Sequence, residues 1–239
     1  MKQPPLILSS LALMVSTIAG HGQAPTADAL LKTARFVATL QQQDLKGQIR
    51  KDARKFPVAL YLRGENIQLS YNHPTSGEPI RFHMRLKDTH YDLLEIVDGK
   101  TVRFPEAKLG QAIEGTDLSY EDLAMRFLYW PKGIVEGVDK IKNQECWLLR
   151  LPNPTGHGRY AQVRVWVHKK SQALMQVVGY NKEGRPLKRF QVQDIMKVGN
   201  TYTLRRMRID RFEPATSKSL GVTYLEFDKP KVAAPGGLR

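Results

Sequence analysis

Apolar and polar positions alternate with a period of two over most of the chain from Leu45 onward. Such alternation is typical of strands with one buried face. Sequences rich in Gly, Asp, Asn and Pro separate the runs and favour tight turns. Residues 45–104 therefore predict an antiparallel meander, whose clearest runs are Val58–Leu62, Ile67–Tyr71, Ile80–Arg85, Tyr91–Val97 and Thr101–Phe104.

The same pattern resumes at Ile134 and continues almost to the end of the chain. The predicted strands are 134–140, 145–151, 160–168, 173–180, 187–198, 201–212 and 218–228. Strands do not alternate with helices as they do in βαβ units, so the pattern predicts one large antiparallel sheet. A sheet of this length must curl to protect its edges and to bury its inner face.

Two segments have helical spacing instead. The first follows Pro25-Thr26 and places Leu30, Ala34, Val37 and Ala38 on one face. The second begins at Ser119, which forms a capping-box pattern with Asp122, and the predicted helix ends at Trp130-Pro131. The fold class is therefore mainly β with two or more helices, which cover the concave face of a large curved antiparallel sheet.

The first 24 residues have the layout of a signal peptide. Lys2 provides a positive start, Leu6 to Ala19 is apolar, and small residues follow it. Cleavage after Ala19, Gly22 or Ala24 would suit this layout, and an uncleaved membrane anchor is the alternative. We expect a signal peptide over 1–24, one domain over 25–229 and a flexible tail over 230–239. The mature protein would be periplasmic, with peripheral attachment to the outer membrane as a further option.

Motifs for catalysis or cofactor binding are absent from the sequence. The six histidines lie outside metal-binding spacings; a hairpin would bring His83 and His90 onto adjacent strands, but two ligands do not complete a metal site. Phosphate-binding loops and the nucleophile elbow are missing, and the single cysteine, Cys146, predicts a small buried side chain. Asp117, Glu121 and Asp122 cluster where a helix start favours negative charge. The sequence therefore predicts a protein that is not an enzyme, with no cofactor and no metal.

Positive charge is concentrated late in the chain. Residues 159–211 hold thirteen Lys and Arg against three carboxylates, which supplies +10 of the net +14. Arg164, Arg189, Arg206 and Arg208 would form a positive sheet face if they point outward together. Such a face attracts an anionic membrane or an acidic partner, although a generic solvated basic surface is the plain alternative. Nucleic acid is the poorest partner for an exported protein.

One segment resembles a known family. Gly115-Thr116-Asp117-Leu118-Ser119-Tyr120-Glu121-Asp122-Leu123 is similar to a GTDFSYEDL-type segment of bacterial outer-membrane lipoprotein-sorting proteins, which belong to the LolA/LolB-like superfamily. The pattern from Tyr160 through Trp166 to Gly184 is similar to a strand pair of that family. The resemblance covers about residues 26–229. The chain is longer and more basic than LolA, and it lacks the lipid-attachment cysteine of LolB.

The resemblance implies an incomplete β-barrel whose helix-covered concave side is apolar. It also implies a periplasmic carrier that holds acyl chains of a lipoprotein or lipid during envelope transport, between an inner-membrane exporter and an outer-membrane acceptor. The alternative is a non-catalytic module that senses lipid or assembles an envelope signalling or transport complex. The expected cavity-lining residues, which are equally suited to an ordinary core, are Leu30, Val37, Leu123, Phe127, Leu128, Trp147 and Trp166.

Overall fold

The computed structural model describes residues 24–230, and within them one antiparallel sheet of 13 strands dominates. The mainly β architecture predicted from the alternation is confirmed. In chain order the strands are β1 (Gln42–Lys51), β2 (Arg54–Arg63), β3 (Asn66–Asn72), β4 (Pro79–Leu86), β5 (Tyr91–Val97), β6 (Lys100–Arg103), β7 (Ile134–Ile141), β8 (Gln144–Pro152), β9 (Gln162–His168), β10 (Leu174–Tyr180), β11 (Pro186–Val198), β12 (Thr201–Phe212) and β13 (Ser219–Phe227).

Two meanders make up this sheet. Strands β1–β6 form one and strands β7–β13 form the other, and β1 pairs with β13 to join them. Gly47 lies at this junction opposite Phe227. A side chain at position 47 would collide with the backbone carbonyl of Glu226, so glycine allows the two meanders to approach closely.

The sheet is open and strongly curved. Its edge strands are β6 and β7, which do not pair with each other. Seven strand spacings separate β4 from β10, a distance of about 34 Å in a flat sheet at about 4.8 Å per strand. Yet Phe82 of β4 and Val177 of β10 line the same cavity. The sheet must therefore curl around that cavity, as an incomplete barrel does.

The first helix, α1, spans Ala27–Thr39 and begins where the sequence indicates. The Thr26 hydroxyl accepts a hydrogen bond from the Ala29 backbone N–H at 3.2 Å and caps the helix. Leu30 and Ala34 are buried against the sheet. Leu31, which lies outside the predicted stripe, is buried too, so the packed face is wider than predicted.

A crossing segment connects the two edges of the sheet. We name residues 104–133 the plug, because they run from the end of β6 to the start of β7 and bury apolar side chains against the sheet's inner face.

The predicted capping box of the second helix is present: Ser119 begins α2 (Tyr120–Ala124), with the Ser119 backbone N–H donating to Asp122 Oδ2 at 2.7 Å. The prediction of one continuous helix to Trp130 is wrong, because Met125 is left-handed (φ 42°) and a 3-10 turn, Arg126–Tyr129, follows.

Each face of the sheet has its own hydrophobic cluster. The inner face, covered by α1 and the plug, carries the main core. A smaller cluster forms on the outer face from Ile141, Cys146, Trp166 and Val178. Of the expected signal peptide, residues 1–23 lie outside the described residues, as do residues 231–239 of the expected tail.

Candidate functional site

An apolar cavity of about 240 Å³ lies between the inner face of the sheet and the plug. Strand side chains form most of its wall, and Leu118, Leu123, Met125 and Phe127 close it from the plug. Its strand-borne apolar walls are Leu60, Leu62, Ile67, Leu69, Phe82, Met84, Leu174, Met175, Val177, Phe190, Val192, Leu204, Met207, Leu225 and Phe227. None of the described lining residues is Lys, Arg or His, so the wall offers no cation to an anionic headgroup.

Larger clefts exist, but their chemistry differs. One of about 420 Å³ lies beside α1 and is lined by charged residues such as Lys32 and Glu65. Another of about 470 Å³ lies beside β5 and β6, with Arg103 and Glu106 in its wall. Ligand sites are usually apolar with a few placed polar groups, so the smaller cavity is the better candidate.

The sequence-predicted lining residues lie in three places: at the cavity, elsewhere on the inner side of the sheet, and on the outer face. Leu123 and Phe127 line the cavity. Leu30 and Leu128 are buried in the main core, while Val37 on α1 and Trp147 on β8 are half-buried. Trp166 lies on the outer face, where its Nε1–H donates to Asp139 Oδ2 at 2.8 Å.

Sequence reasoning missed the strand-borne walls of the cavity. Leu60 and Leu62 of β2 face the cavity together, as do Phe82 and Met84 of β4. Residues two apart point to the same side of a strand, so the period-two pattern contains this signal. It does not say which inward-pointing residues border a void and which are packed.

Asp117 anchors the plug to the inner face of the sheet. Its carboxylate accepts hydrogen bonds from Arg211 Nε at 2.7 Å, Lys51 Nζ at 3.0 Å and the Thr223 hydroxyl at 3.0 Å. Its side chain is 1% exposed. Burial alone would raise the pKa of Asp117, but these donors outweigh burial and hold the pKa below its ordinary value.

Asp122 makes a second anchor at the cavity wall. Lys188 Nζ and the Tyr160 hydroxyl each donate to its carboxylate at 2.5 Å. The side chains of Lys188 and Asp122 are 5% and 0% exposed, so this ion pair is solvent-excluded. Gly179 makes room for the Tyr160 ring, since a side chain there would collide with it.

Glu121 differs from its two acidic neighbours. Its carboxylate accepts the Arg159 backbone N–H at 3.2 Å, and burial raises its pKa despite that bond. Helix-start stabilisation therefore accounts for only part of this acidic cluster. Asp117, Glu121 and Asp122 also tie α2 to β1, β11, β12 and the loop before β9.

The remaining polar candidates do not converge. His83 lies on β4 opposite Leu94, and His90 precedes β5, so the two do not face each other across the hairpin. Within residues 24–230 no group of three potential metal ligands is found. Cys146 is fully buried, and burial raises the pKa of its thiol.

The four arginines predicted as a patch all lie on the outer face. Arg164 pairs with Glu136, Arg189 and Arg208 with Asp210, and Arg206 with Glu226. Arg211 points inward instead, to Asp117. The described part of the chain contains no helix with the length and apolar character needed to span a bilayer.

The second part of the chain matches a known protein family. The matching family model covers residues 97–233, more than half of the chain, and is described as an uncharacterized protein. The chain belongs to this family. The match includes β6, the whole plug and β7–β13. A search among curated proteins finds no match.

Solved structures resemble the whole sheet. A LolA superfamily protein from Nitrosomonas europaea has a TM-score of 0.62 at 17% identity, covering 88% of this chain and 96% of its own. A domain described as an outer membrane lipoprotein-sorting protein from Vibrio parahaemolyticus gives 0.61 at 14% identity, covering 84% and 89%. A DUF1329 family protein from Desulfovibrio piger gives 0.59 at 15%, covering 83% and 91%. At such identities the likeness shows the fold, so the chain has a LolA-like fold, as the GTDLSYEDL segment predicted.

Proposed function

We propose that the protein is a non-catalytic periplasmic carrier that holds an acyl chain of a lipoprotein or lipid in the cavity between sheet and plug. The observation that carries this proposal is the apolar wall of that cavity. Exposing a CH₂ group to water costs about 0.8 kcal/mol, so a lipid in transit needs a dry compartment. The LolA-like fold supports the same reading.

The lining also indicates which part of the cargo enters. Asp122 is the charged group at the wall, and Lys188 and Tyr160 already occupy its carboxylate. An anionic headgroup would meet no cation along the described wall. The cavity therefore suits an acyl chain whose polar head stays outside.

The cavity volume implies movement during loading. Ligand pockets usually measure about 300–1,000 Å³, and this cavity is smaller. Admitting a full chain requires the plug to shift from the sheet. Asp117 and Asp122 resist that shift, so they set how easily the carrier opens. An inner-membrane exporter and an outer-membrane acceptor would be the donor and recipient of the cargo.

Filling the cavity tests the proposal. Val192 lines the cavity on β11, while Val222 is a half-buried valine on the outer face of β13. We expect Val192→Trp to weaken binding of a fluorescent fatty acid by at least about tenfold, because the indole occupies the space of the chain. The matched control Val222→Trp should bind as wild type does.

Two results would contradict the proposed carrier function. The first is wild-type protein that binds neither the fluorescent fatty acid nor a lipopeptide competitor. The second is equal loss of binding in both tryptophan variants while both remain folded. Binding without transfer of labelled lipid between vesicles would instead favour the lipid-sensing or assembly module.

A further inference from the structure

Six arginines form a continuous pattern on the outer face, on the side of the sheet away from the cavity. They share three carboxylates, two arginines to each. We name this set the arginine belt: Arg50 and Arg206 with Glu226, Arg150 and Arg164 with Glu136, and Arg189 and Arg208 with Asp210.

The distances place two guanidinium groups within ion-pair range of each carboxylate. Arg189 Nη2 lies 2.9 Å from Asp210 Oδ2, and Arg208 Nη2 lies 2.7 Å from Asp210 Oδ1. The two Nε atoms of Arg150 and Arg164 each lie 2.9 Å from Glu136 oxygens. Two guanidinium groups per carboxylate leave the belt with a net positive charge. Pairing therefore reduces this charge without cancelling it.

The belt is fixed in place by the sheet. Val178 on β10 lies opposite Arg164 on one side and Arg189 on the other, and Arg189 lies opposite Asp210. Asp210 is 1% exposed, so it orients its two arginines from beneath. The strand register thus holds these groups at set spacings.

Aromatic rings add to this fixation. Arg50 stacks over Tyr224 at 4.3 Å from the ring centroid, Arg164 over Tyr180 at 5.7 Å and Arg189 over Phe212 at 5.7 Å. The six arginine side chains nevertheless remain between 32% and 51% exposed. Contacts within the sheet orient these side chains, and their guanidinium groups remain accessible to solvent.

We propose that the arginine belt is a docking surface for a protein partner that presents carboxylates. Guanidinium forks in fixed positions bind carboxylates bidentately, and arginine and tyrosine are typical of the residues that dominate protein interfaces. A fluid bilayer is attracted mainly by total charge, because its headgroups can rearrange and do not require a fixed spacing. The rigid arrangement therefore favours an acidic protein surface over an anionic membrane.

One variant removes the excess charge and keeps every carboxylate paired. Arg164→Gln, Arg189→Gln and Arg206→Gln together leave Arg150, Arg208 and Arg50 on the three carboxylates, so the fold should persist. The matched control changes Arg81, Arg103 and Arg185 to Gln, which are exposed and lie outside the belt. Both triple variants lower the net charge equally.

The probes are poly-L-glutamate and phosphatidylglycerol–phosphatidylcholine vesicles. We expect wild type and the control variant to bind poly-L-glutamate in a salt-sensitive way, and the belt variant to bind at least about tenfold more weakly. Vesicle binding should change equally in both variants, and fatty-acid binding in neither. Equal loss of poly-L-glutamate binding in both variants would overturn the proposal, as would selective loss of vesicle binding in the belt variant, which would identify a membrane surface.

Discussion

The ion pairs on the two faces of the sheet differ in burial and in what they connect. On the inner face, Lys188 and Asp122 form a one-to-one pair that is shut off from solvent at the wall of an apolar cavity. On the outer face, two half-exposed arginines share each carboxylate. Alternate residues of the same strands supply both arrangements. The inner carboxylates, including Asp117 with its two cations Lys51 and Arg211, fasten the plug, whereas the outer carboxylates bind arginines of the sheet itself and leave net positive charge at the surface.

The largest expected effect on stability comes from the buried ion pair of the inner face, compared with an exposed ion pair. Asp122→Ala leaves Lys188 buried without its partner and removes the carboxylate half of the α2 capping box, so we expect a loss of about 4 kcal/mol in the free energy of unfolding. The control Asp194→Ala breaks the exposed pair with Arg205 and should cost under about 1 kcal/mol. Urea unfolding measures both.

Equal losses in the two alanine variants would contradict the distinction between the buried ion pair and an exposed one. If Asp122→Ala does not fold, Lys188→Met gives the same test with a milder change. Its methionine fills the site of the lysine stem, and Tyr160 and Ser119 still donate to the carboxylate. We expect its loss in the free energy of unfolding to lie between those of Asp122→Ala and Asp194→Ala.

A smaller effect is expected from one hydroxyl group. Tyr160→Phe removes a buried hydrogen bond to the Asp122 carboxylate, and bonds to charged groups contribute about 1.5–3 kcal/mol. We expect a loss of about 2 kcal/mol in the free energy of unfolding. Tyr61 on β2 is an exposed tyrosine, and Tyr61→Phe should change the free energy of unfolding by less than about 0.5 kcal/mol. A Tyr160→Phe variant as stable as Tyr61→Phe would show that this bond does not hold the plug.

Strand positions and local caps were accessible from the sequence because they depend on neighbouring residues. The runs Tyr91–Val97 and 201–212 coincide with β5 and β12, and the Ser119 capping box forms as its spacing predicts. The left-handed turn at Met125 was not accessible, since methionine carries no local signal for it.

Long-range partners explain the rest of what the sequence did not show. Lys188 belongs by composition to the basic segment, yet it is buried against Asp122, 66 positions away in the chain. The pairing of β1 with β13 likewise brings distant segments together. The cavity depends on both, because its walls come from both meanders. Periodicity shows on which face of a strand each side chain lies, but it does not show which distant residues that side chain contacts.

The smallest expected effect is a pair of opposite pH dependences within the plug. The pKa of Asp117 is held below 3.8, so its anchoring contributes stability above that value and loses it as pH falls through the lower folded-state pKa. Burial raises the pKa of Glu121 above 4.5, so its stability contribution is complete below that value and is lost as pH rises. Each effect is at most about 1.4 kcal/mol per pH unit for one proton. We therefore expect the deficit of Asp117→Asn relative to wild type to shrink on acidification, and any advantage of Glu121→Gln at neutral pH to disappear. Urea midpoints from about pH 7 to about pH 3 test both, and parallel curves for the three proteins would show that neither carboxylate couples proton binding to plug attachment.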